Sequence, residues 1–116
     1  MAELNLKECP SSPNCVSTQT SQPDKLMSPI PFSVKPEVVR SIIEKVMLGW
    51  LRVEVLTKEN NYFHFSLKSA VFRFVDDIEF IVDEKSQHIH FRSASRVGYS
   101  DLGVNRKRMS EITKKI

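Results

Sequence analysis

The 116 residues of this chain are enough for one ordinary domain, and 41% of them are hydrophobic and 27% charged. A chain of this length can bury a core without metals, and no apolar run approaches the roughly 18 residues of a membrane-spanning helix. The formal net charge of +3 is too small to identify a partner. Glu3, Lys7 and Glu8 interrupt any signal-peptide pattern. A cytoplasmic location is therefore the default expectation, and an exported or membrane-associated location stays open.

The first 30 residues are rich in proline, serine and threonine and show neither helical nor strand periodicity. Such a composition predicts an irregular N-terminal arm with turn chemistry. From residue 31 onward the hydrophobic residues recur at regular intervals. Residues 31–116 are therefore predicted to form a single α+β domain.

Cys9 and Cys15 flank a turn-forming segment of the arm. They could form a disulfide, a redox pair or half of a metal site. A bridge that closes so short a loop would stabilise the fold by about 2.4 kcal/mol in the chain-entropy model. The spacing is not the Cys-x-x-Cys of redox motifs, and no further metal ligands lie nearby in sequence. The preferred interpretation is a structural turn that is oxidised only in an oxidising compartment.

Hydrophobic periodicity predicts two helices and four strands. Pro36 suits a first helical turn, and Gly49 ends the helical spacing. A hairpin with its turn at 58–61 follows, then strands over 72–83 and 88–97, and a final amphipathic helix. Short loops require antiparallel neighbours, which predicts a four-stranded antiparallel meander sheet flanked by an N-terminal and a C-terminal helix. The predicted inward residues are Val39, Ile42, Ile43, Val46 and Met47, then Leu51, Val53, Val55, Phe63, Phe65 and Leu67, and finally Met109, Ile112 and Ile116.

The last two predicted strands carry the least ordinary side chains. Strand alternation places Asp76 on the apolar face, together with Phe74 and Phe80. If Val82 pairs with Ile89 across the loop, Asp76 lies opposite a serine hydroxyl. The same register pairs Phe80 with Phe91, Ile78 with Ser93, Asp76 with Ser95 and Glu79 with Arg92.

The opposite face of these strands is predicted to be charged. Asp77 lies diagonal to Arg92, and Arg96 is nearby. Such pairs contribute about 0.2 to 1 kcal/mol each, which supports the register without indicating catalysis.

Three segments resemble a known family. They are CPSSPNCVS at 9–17, FVDDIEF at 74–80 and RSASRVGYSDLGVNR at 92–106. They are similar to the characteristic segments of domain of unknown function 1499, and the resemblance covers nearly the whole chain. The family has no established activity. Its relatives include bacterial proteins, some with lipoprotein signals or membrane segments, and plastid proteins, so membrane association is an expectation of the resemblance alone.

A polar site is predicted where the last strand leads into the last helix. Serine hydroxyls, arginine charges and a helix N-terminus together can bind an anion such as phosphate or carboxylate. Asp101 stands where a capping residue would, so a purely structural network is the alternative. The candidate binding residues are Asp76, Asp77, Arg92, Ser93, Ser95, Arg96, Ser100, Asp101, Asn105 and Arg106.

Other kinds of site are disfavoured. Two histidines, His88 and His90, share a strand face, but without a further ligand they predict no metal site and no cofactor. The last helix has five cations and one anion but no aromatic residues, so nucleic acid is not an expected partner. Asp76 and Asp77 point to opposite faces and cannot act as a carboxylate pair.

The sequence therefore favours a non-catalytic binding or interaction module, whose partner is a small anion or a protein. The alternatives are a structural or membrane-associated accessory domain without a ligand, and a thiol-dependent enzyme that uses Cys9 or Cys15.

Overall fold

A computed structural model describes residues 5–11, 14–68, 74–96 and 104–116 of the chain. The elements are β1 (Cys15–Ser17), a short 3-10 helix (Pro23–Lys25), β2 (Ile30–Pro31), α1 (Pro36–Leu48), β3 (Val53–Glu59), β4 (Tyr62–Lys68), β5 (Val75–Asp83), β6 (His88–Ser95) and α2 (Val104–Lys115). Within these residues, no helix has the length and apolar character needed to cross a membrane.

The strands form one antiparallel sheet in the order β1-β6-β5-β4-β3, and β2 pairs with β6 as well. The α+β class is therefore confirmed, and so is the meander of β3 to β6 with a helix on either side of it in sequence. The predicted number of four strands was incomplete, because the sheet has six.

The two missing strands both come from the N-terminal arm. β1 and β2 contain three and two residues, which is too short to show strand alternation, and β2 ends in Pro31. The arm is thus less irregular than predicted, and it adds Val16 and Ile30 to the core. The boundary predicted after residue 30 falls inside β2. The division of the chain into an arm and a domain stays a prediction.

Some strand ends also differ from the prediction. Leu51 is 75% exposed and precedes β3, because Arg52 with φ 58° turns the chain before the strand begins. Val55 lies beside a bulge in β3 and is also exposed. Phe74 was predicted in the core but precedes β5 and is 51% exposed. The predicted strand residues 72, 73 and 97 lie outside the described residues.

The core lies between one face of the sheet and the two helices. We call this the inner face, and it contains Phe63 and Phe65 of β4, Ile78 and Phe80 of β5, and Phe91 of β6. Each of these side chains is at most 1% exposed. The buried hydrophobic residues of the helices are Val39, Ile43 and Met47 of α1 and Met109 and Ile112 of α2.

Candidate functional site

Side-chain alternation along β5 and β6 divides the predicted polar site between the two faces of the sheet. The predicted register is confirmed, since Asp76 pairs with Ser95 and Glu79 pairs with Arg92. Asp76, Ser93 and Ser95 therefore belong to the inner face. The residues of the opposite face, which we call the outer face, include Asp77, Glu79, Arg92, Ala94 and Arg96.

Asn105 of α2 organises the polar residues of the inner face. Ser93 donates a hydrogen bond from Oγ to Asn105 Oδ1. Asn105 Nδ2 donates to Ser95 Oγ at 3.2 Å and to the Asn14 carbonyl at 3.3 Å. Asn105 is fully buried and its partners lie on β6 and next to β1, so this cluster fastens α2 to the sheet.

Asp76 forms an ion pair within the same layer. Its Oδ2 lies 2.7 Å from Arg108 NH1, and the two side chains are 11% and 14% exposed. Arg108 was not among the predicted site residues, although its position one helical turn after Asn105 places both side chains on the same side of α2. The predicted neighbour of Asp76, Ser95, lies opposite it in the register.

The remaining predicted residues near α2 are dispersed. Arg106 NH2 donates to the carbonyls of Asp24 and Leu26 at 2.9 and 3.4 Å, so this guanidinium anchors the segment before β2. Ser100 and Asp101 lie outside the described residues.

On the outer face, Asp77 accepts hydrogen bonds from two neighbouring strands. Arg96 donates to it from Nε at 2.8 Å and from NH2 at 2.9 Å. On the other side, His64 Nε2 lies 2.8 Å from Asp77 Oδ1. The hydrogen bond from Arg96 lowers the pKa of the Asp77 carboxyl, burial opposes this shift, and the His64 hydrogen bond adds to it. Asp77 is therefore held as a carboxylate.

Glu79, two residues further along β5, occupies a similar position. Tyr62 of β4 donates a hydrogen bond from its hydroxyl to Glu79 Oε2. Burial, followed by this hydrogen bond, raises the pKa of the Tyr62 phenol. From β6, Arg92 NH1 approaches Glu79 Oε1 at 3.5 Å. That distance is at the outer limit of a hydrogen bond, so the ion pair satisfies Arg92 poorly.

Arg92 has the least complete hydrogen bonding of the site residues. Its side chain is only 10% exposed, and its Nε is buried without a hydrogen-bond partner among the described residues. A buried donor without an acceptor costs about 1 to 3 kcal/mol. Nearly all buried polar groups are paired, so this atom calls for an acceptor that the described residues do not supply.

The N-terminal segment, residues 5–11, is attached to the residues around β1. The Leu6 amide donates to Gln19 Oε1 at 2.7 Å, and Cys9 forms a disulfide with Cys15. The disulfide is buried against Ala94, which lies between Arg92 and Arg96 on β6. The cysteine pair thus adopts the first of the three arrangements that the sequence allowed.

Sequence reasoning did not assign Tyr62 and His64 to the site. Alternation places both on the outer face of β4, but their contacts with Glu79 and Asp77 depend on the register of β4 against β5, which the sequence pattern did not fix. His88 and His90 are engaged separately, with the Ser86 carbonyl and with Thr18. Among the described residues, no group of three or more His, Cys, Asp or Glu side chains could hold a metal ion.

Comparison with known proteins places the chain in a family. The model of the family described as protein of unknown function (DUF1499) matches residues 5–116, so the chain belongs to that family, as the three sequence segments indicated. Neither a curated protein nor a solved structure matches the chain.

Proposed function

We propose that this member of the DUF1499 family is a non-catalytic binding module that accepts a small oxyanion on the outer face of β6, near the junction with α2. The observation that carries the proposal is Arg92, a nine-tenths-buried guanidinium whose Nε has no acceptor among the described residues. Guanidinium groups bind carboxylate and phosphate through parallel N–H···O bonds, and they do so most strongly where water is excluded.

The neighbours of Arg92 support an oxyanion as the ligand. Arg96 lies four residues further along the same face, about 13 Å away along the strand, and its side chain is 49% exposed. Between them Ala94 contributes only a methyl group. Asp77 and Glu79 are each partnered from both sides, which leaves Arg92 Nε as the buried side-chain donor that lacks an acceptor among the described residues.

The other predicted site residues have a different role in this proposal. Ser93 donates to Asn105 of α2 and Ser95 accepts from it, while Asp76 is ion-paired with Arg108 of the same helix. We assign them to the structural attachment of α2. The proposal therefore keeps Asp77, Arg92 and Arg96 from the predicted site and places the ligand on the outer face.

Among the described residues of the outer face, the side chains that could act in a reaction are already engaged. Both oxygens of Asp77 and Oε2 of Glu79 accept hydrogen bonds, Glu79 Oε1 is ion-paired with Arg92, and both sulfurs of the cysteine pair are joined in the disulfide. In that form neither sulfur is the thiolate that a nucleophile needs.

Thermal unfolding in the presence of sodium phosphate tests the proposal, with sodium chloride at equal ionic strength as the reference. A ligand at ten times its Kd stabilises the folded state by about 1.4 kcal/mol, which raises Tm by a few degrees in a domain of this size. The measurement is made on the oxidised and on the reduced protein, and acetate in place of phosphate shows whether a carboxylate suffices.

The variant Arg92→Gln should lose the phosphate-dependent rise in Tm. Lys107→Gln is the matched control, because it removes the same charge from an exposed position on α2. The proposal is wrong if neither oxidation state responds to phosphate or acetate, or if Arg92→Gln responds as the unchanged protein does.

A further inference from the structure

Arg92 and Glu79 form an incomplete ion pair at the proposed oxyanion site. Arg96 and Asp77, on the same face of the sheet, form a complete one, because Arg96 donates from Nε and NH2 at 2.8 and 2.9 Å. Arg92 approaches Glu79 through NH1 alone, at 3.5 Å. The residue types are alike in the two pairs, so the chemistry of the side chains does not explain the gap. The Glu79 carboxylate is therefore close to Arg92 without closing on it.

Tyr62 explains why this gap stays open. Its hydroxyl donates a hydrogen bond to Glu79 Oε2. Tyr62 belongs to β4 and Arg92 to β6, so the two side chains approach Glu79 from opposite sides of β5. The tyrosine holds the carboxylate on the β4 side, and Oε1 is the oxygen that is ion-paired with Arg92. Oε1 accepts no hydrogen bond from a described residue, so it keeps lone pairs for a further donor.

The unfilled donor of Arg92 and the unfilled acceptor of Glu79 are close enough to contact one small ligand. The guanidinium is a rigid plane, so an oxygen 3.5 Å from NH1 lies within about 6 Å of Nε. Two neighbouring oxygens of one oxyanion, each with a hydrogen bond of ordinary length, can cover that distance. The two side chains are only 10% and 16% exposed, so salt and water screen their charges weakly.

A donor beside an acceptor places two different demands on the ligand. The ligand atom that meets Arg92 Nε must accept a hydrogen bond, and an anionic oxygen does so best. The ligand atom that meets Glu79 Oε1 must donate one, because two unprotonated anionic oxygens repel each other. Near neutral pH, inorganic phosphate retains a hydroxyl, whereas sulfate and acetate retain none. Phosphate can therefore meet both demands, and the other two anions can meet only the first.

We propose that the site selects an oxyanion that carries its own hydroxyl, of which hydrogen phosphate is the simplest, and that Glu79 makes this selection. The anionic oxygens of the ligand accept from Arg92, and its hydroxyl donates to Glu79 Oε1. An oxyanion without a hydroxyl brings a second negative charge against the carboxylate and is rejected, which is selection by repulsion as much as by attraction. This inference rests on the proposed function, because it names the chemical class of the ligand at the same site.

The experiment measures the Kd values of inorganic phosphate, sulfate and acetate for the unchanged protein by titration calorimetry, at one neutral pH and one ionic strength. We expect phosphate to bind at least about tenfold more tightly than either of the others, which is the lower end of what a hydrogen bond to a charged group contributes. Sulfate or acetate binding as tightly as phosphate would overturn the selection but leave the oxyanion site standing. Absence of binding by all three anions would overturn the proposed function itself.

The variant Glu79→Gln assigns the selection to one residue. The Tyr62 hydroxyl needs an oxygen to accept its hydrogen bond, so it should hold the amide oxygen on the β4 side and leave the amide NH2 as a donor toward the ligand. Sulfate should then bind at least as tightly as phosphate. Glu111→Gln removes the same charge from an exposed position on α2 and should keep the preference for phosphate.

A preference for phosphate that survives in Glu79→Gln would overturn the role of this carboxylate. If that variant does not fold, the comparison of the three anions in the unchanged protein still decides, because equal Kd values for phosphate and sulfate overturn the proposal without it.

Discussion

Each face of β5 and β6 has a carboxylate that is paired with an arginine, yet the polar groups of the two faces are satisfied to different degrees. On the inner face, Asp76 and Arg108 meet at 2.7 Å under α2, and Asn105 donates to and accepts from its neighbours. On the outer face, Asp77 and Glu79 are well supplied with donors, but Arg92 retains an Nε without an acceptor among the described residues. The comparison shows that a carboxylate and an arginine at similar positions can be fully paired on one face while a buried donor stays unpaired on the other.

Their surroundings explain the difference. The inner face is closed by helices that are part of the same core, so unsatisfied polar groups there would directly lower the stability of the fold. On the outer face, Ala94 packs against the Cys9–Cys15 disulfide, which together with a few side-chain hydrogen bonds holds residues 5–11. These contacts are made by the N-terminal arm and not by the helices of the core.

The largest expected effect is on the inner face, where Phe80→Ala removes a fully buried ring from the middle of the core. Phe65 contacts this ring edge to face, with ring centroids 6.1 Å apart. We expect the free energy of unfolding to fall by about 3 to 5 kcal/mol. Chemical denaturation measures it, and an unchanged midpoint would contradict the assignment of Phe80 to the core.

A smaller effect is expected from Asp76→Asn, which keeps the shape of the side chain and removes its charge. Arg108 would then be a largely buried cation without its carboxylate, and we expect a loss of about 2 to 3 kcal/mol in unfolding free energy. Arg96→Gln on the outer face is the matched comparison, because Arg96 is half exposed and its ion pair contributes only about 0 to 1 kcal/mol. Equal losses in the two variants would show that the two faces are not as different as the geometry indicates.

The sequence predicted much of the difference between the two faces, because part of it follows from strand alternation and loop length. The register of β5 and β6 follows from a short loop and from alternation, and it correctly assigned Asp76 and Asp77 to opposite faces. Arg108 and His64 were missed because their contacts depend on how α2 and β4 dock, which no local pattern specifies. The strands of the arm were missed because two or three residues cannot show a period, although they pair with β6 and help to bury its core residues.

The smallest expected effect is the pH dependence that Asp77 contributes. The hydrogen bond from Arg96 lowers the folded-state pKa of this carboxyl below its unfolded value of about 3.9. The unfolded state then binds more protons, so the stabilisation is complete above about pH 4 and is lost as the pH falls through the lowered pKa. Asp77→Asn should therefore be less stable than the unchanged protein at pH 6, and the difference should shrink below pH 4.

Other titratable groups also contribute to the pH dependence of stability on the acid side, and they provide the internal control. Hydrogen bonds, first of all the one from Thr20, lower the pKa of Glu8 to about 2, so part of the acid destabilisation must remain in Asp77→Asn. Burial lowers the pKa of His90, so the free energy of unfolding rises with pH between this lowered pKa and the ordinary pKa of histidine. This rise is expected in both the unchanged protein and Asp77→Asn. Denaturation curves measured from pH 7 to pH 2 should therefore run parallel above pH 5 and converge only below pH 4. If the two curves stay parallel down to pH 2, the pKa of Asp77 is the same in the folded and unfolded states. Its hydrogen bonds with Arg96 and His64 would then not persist in solution.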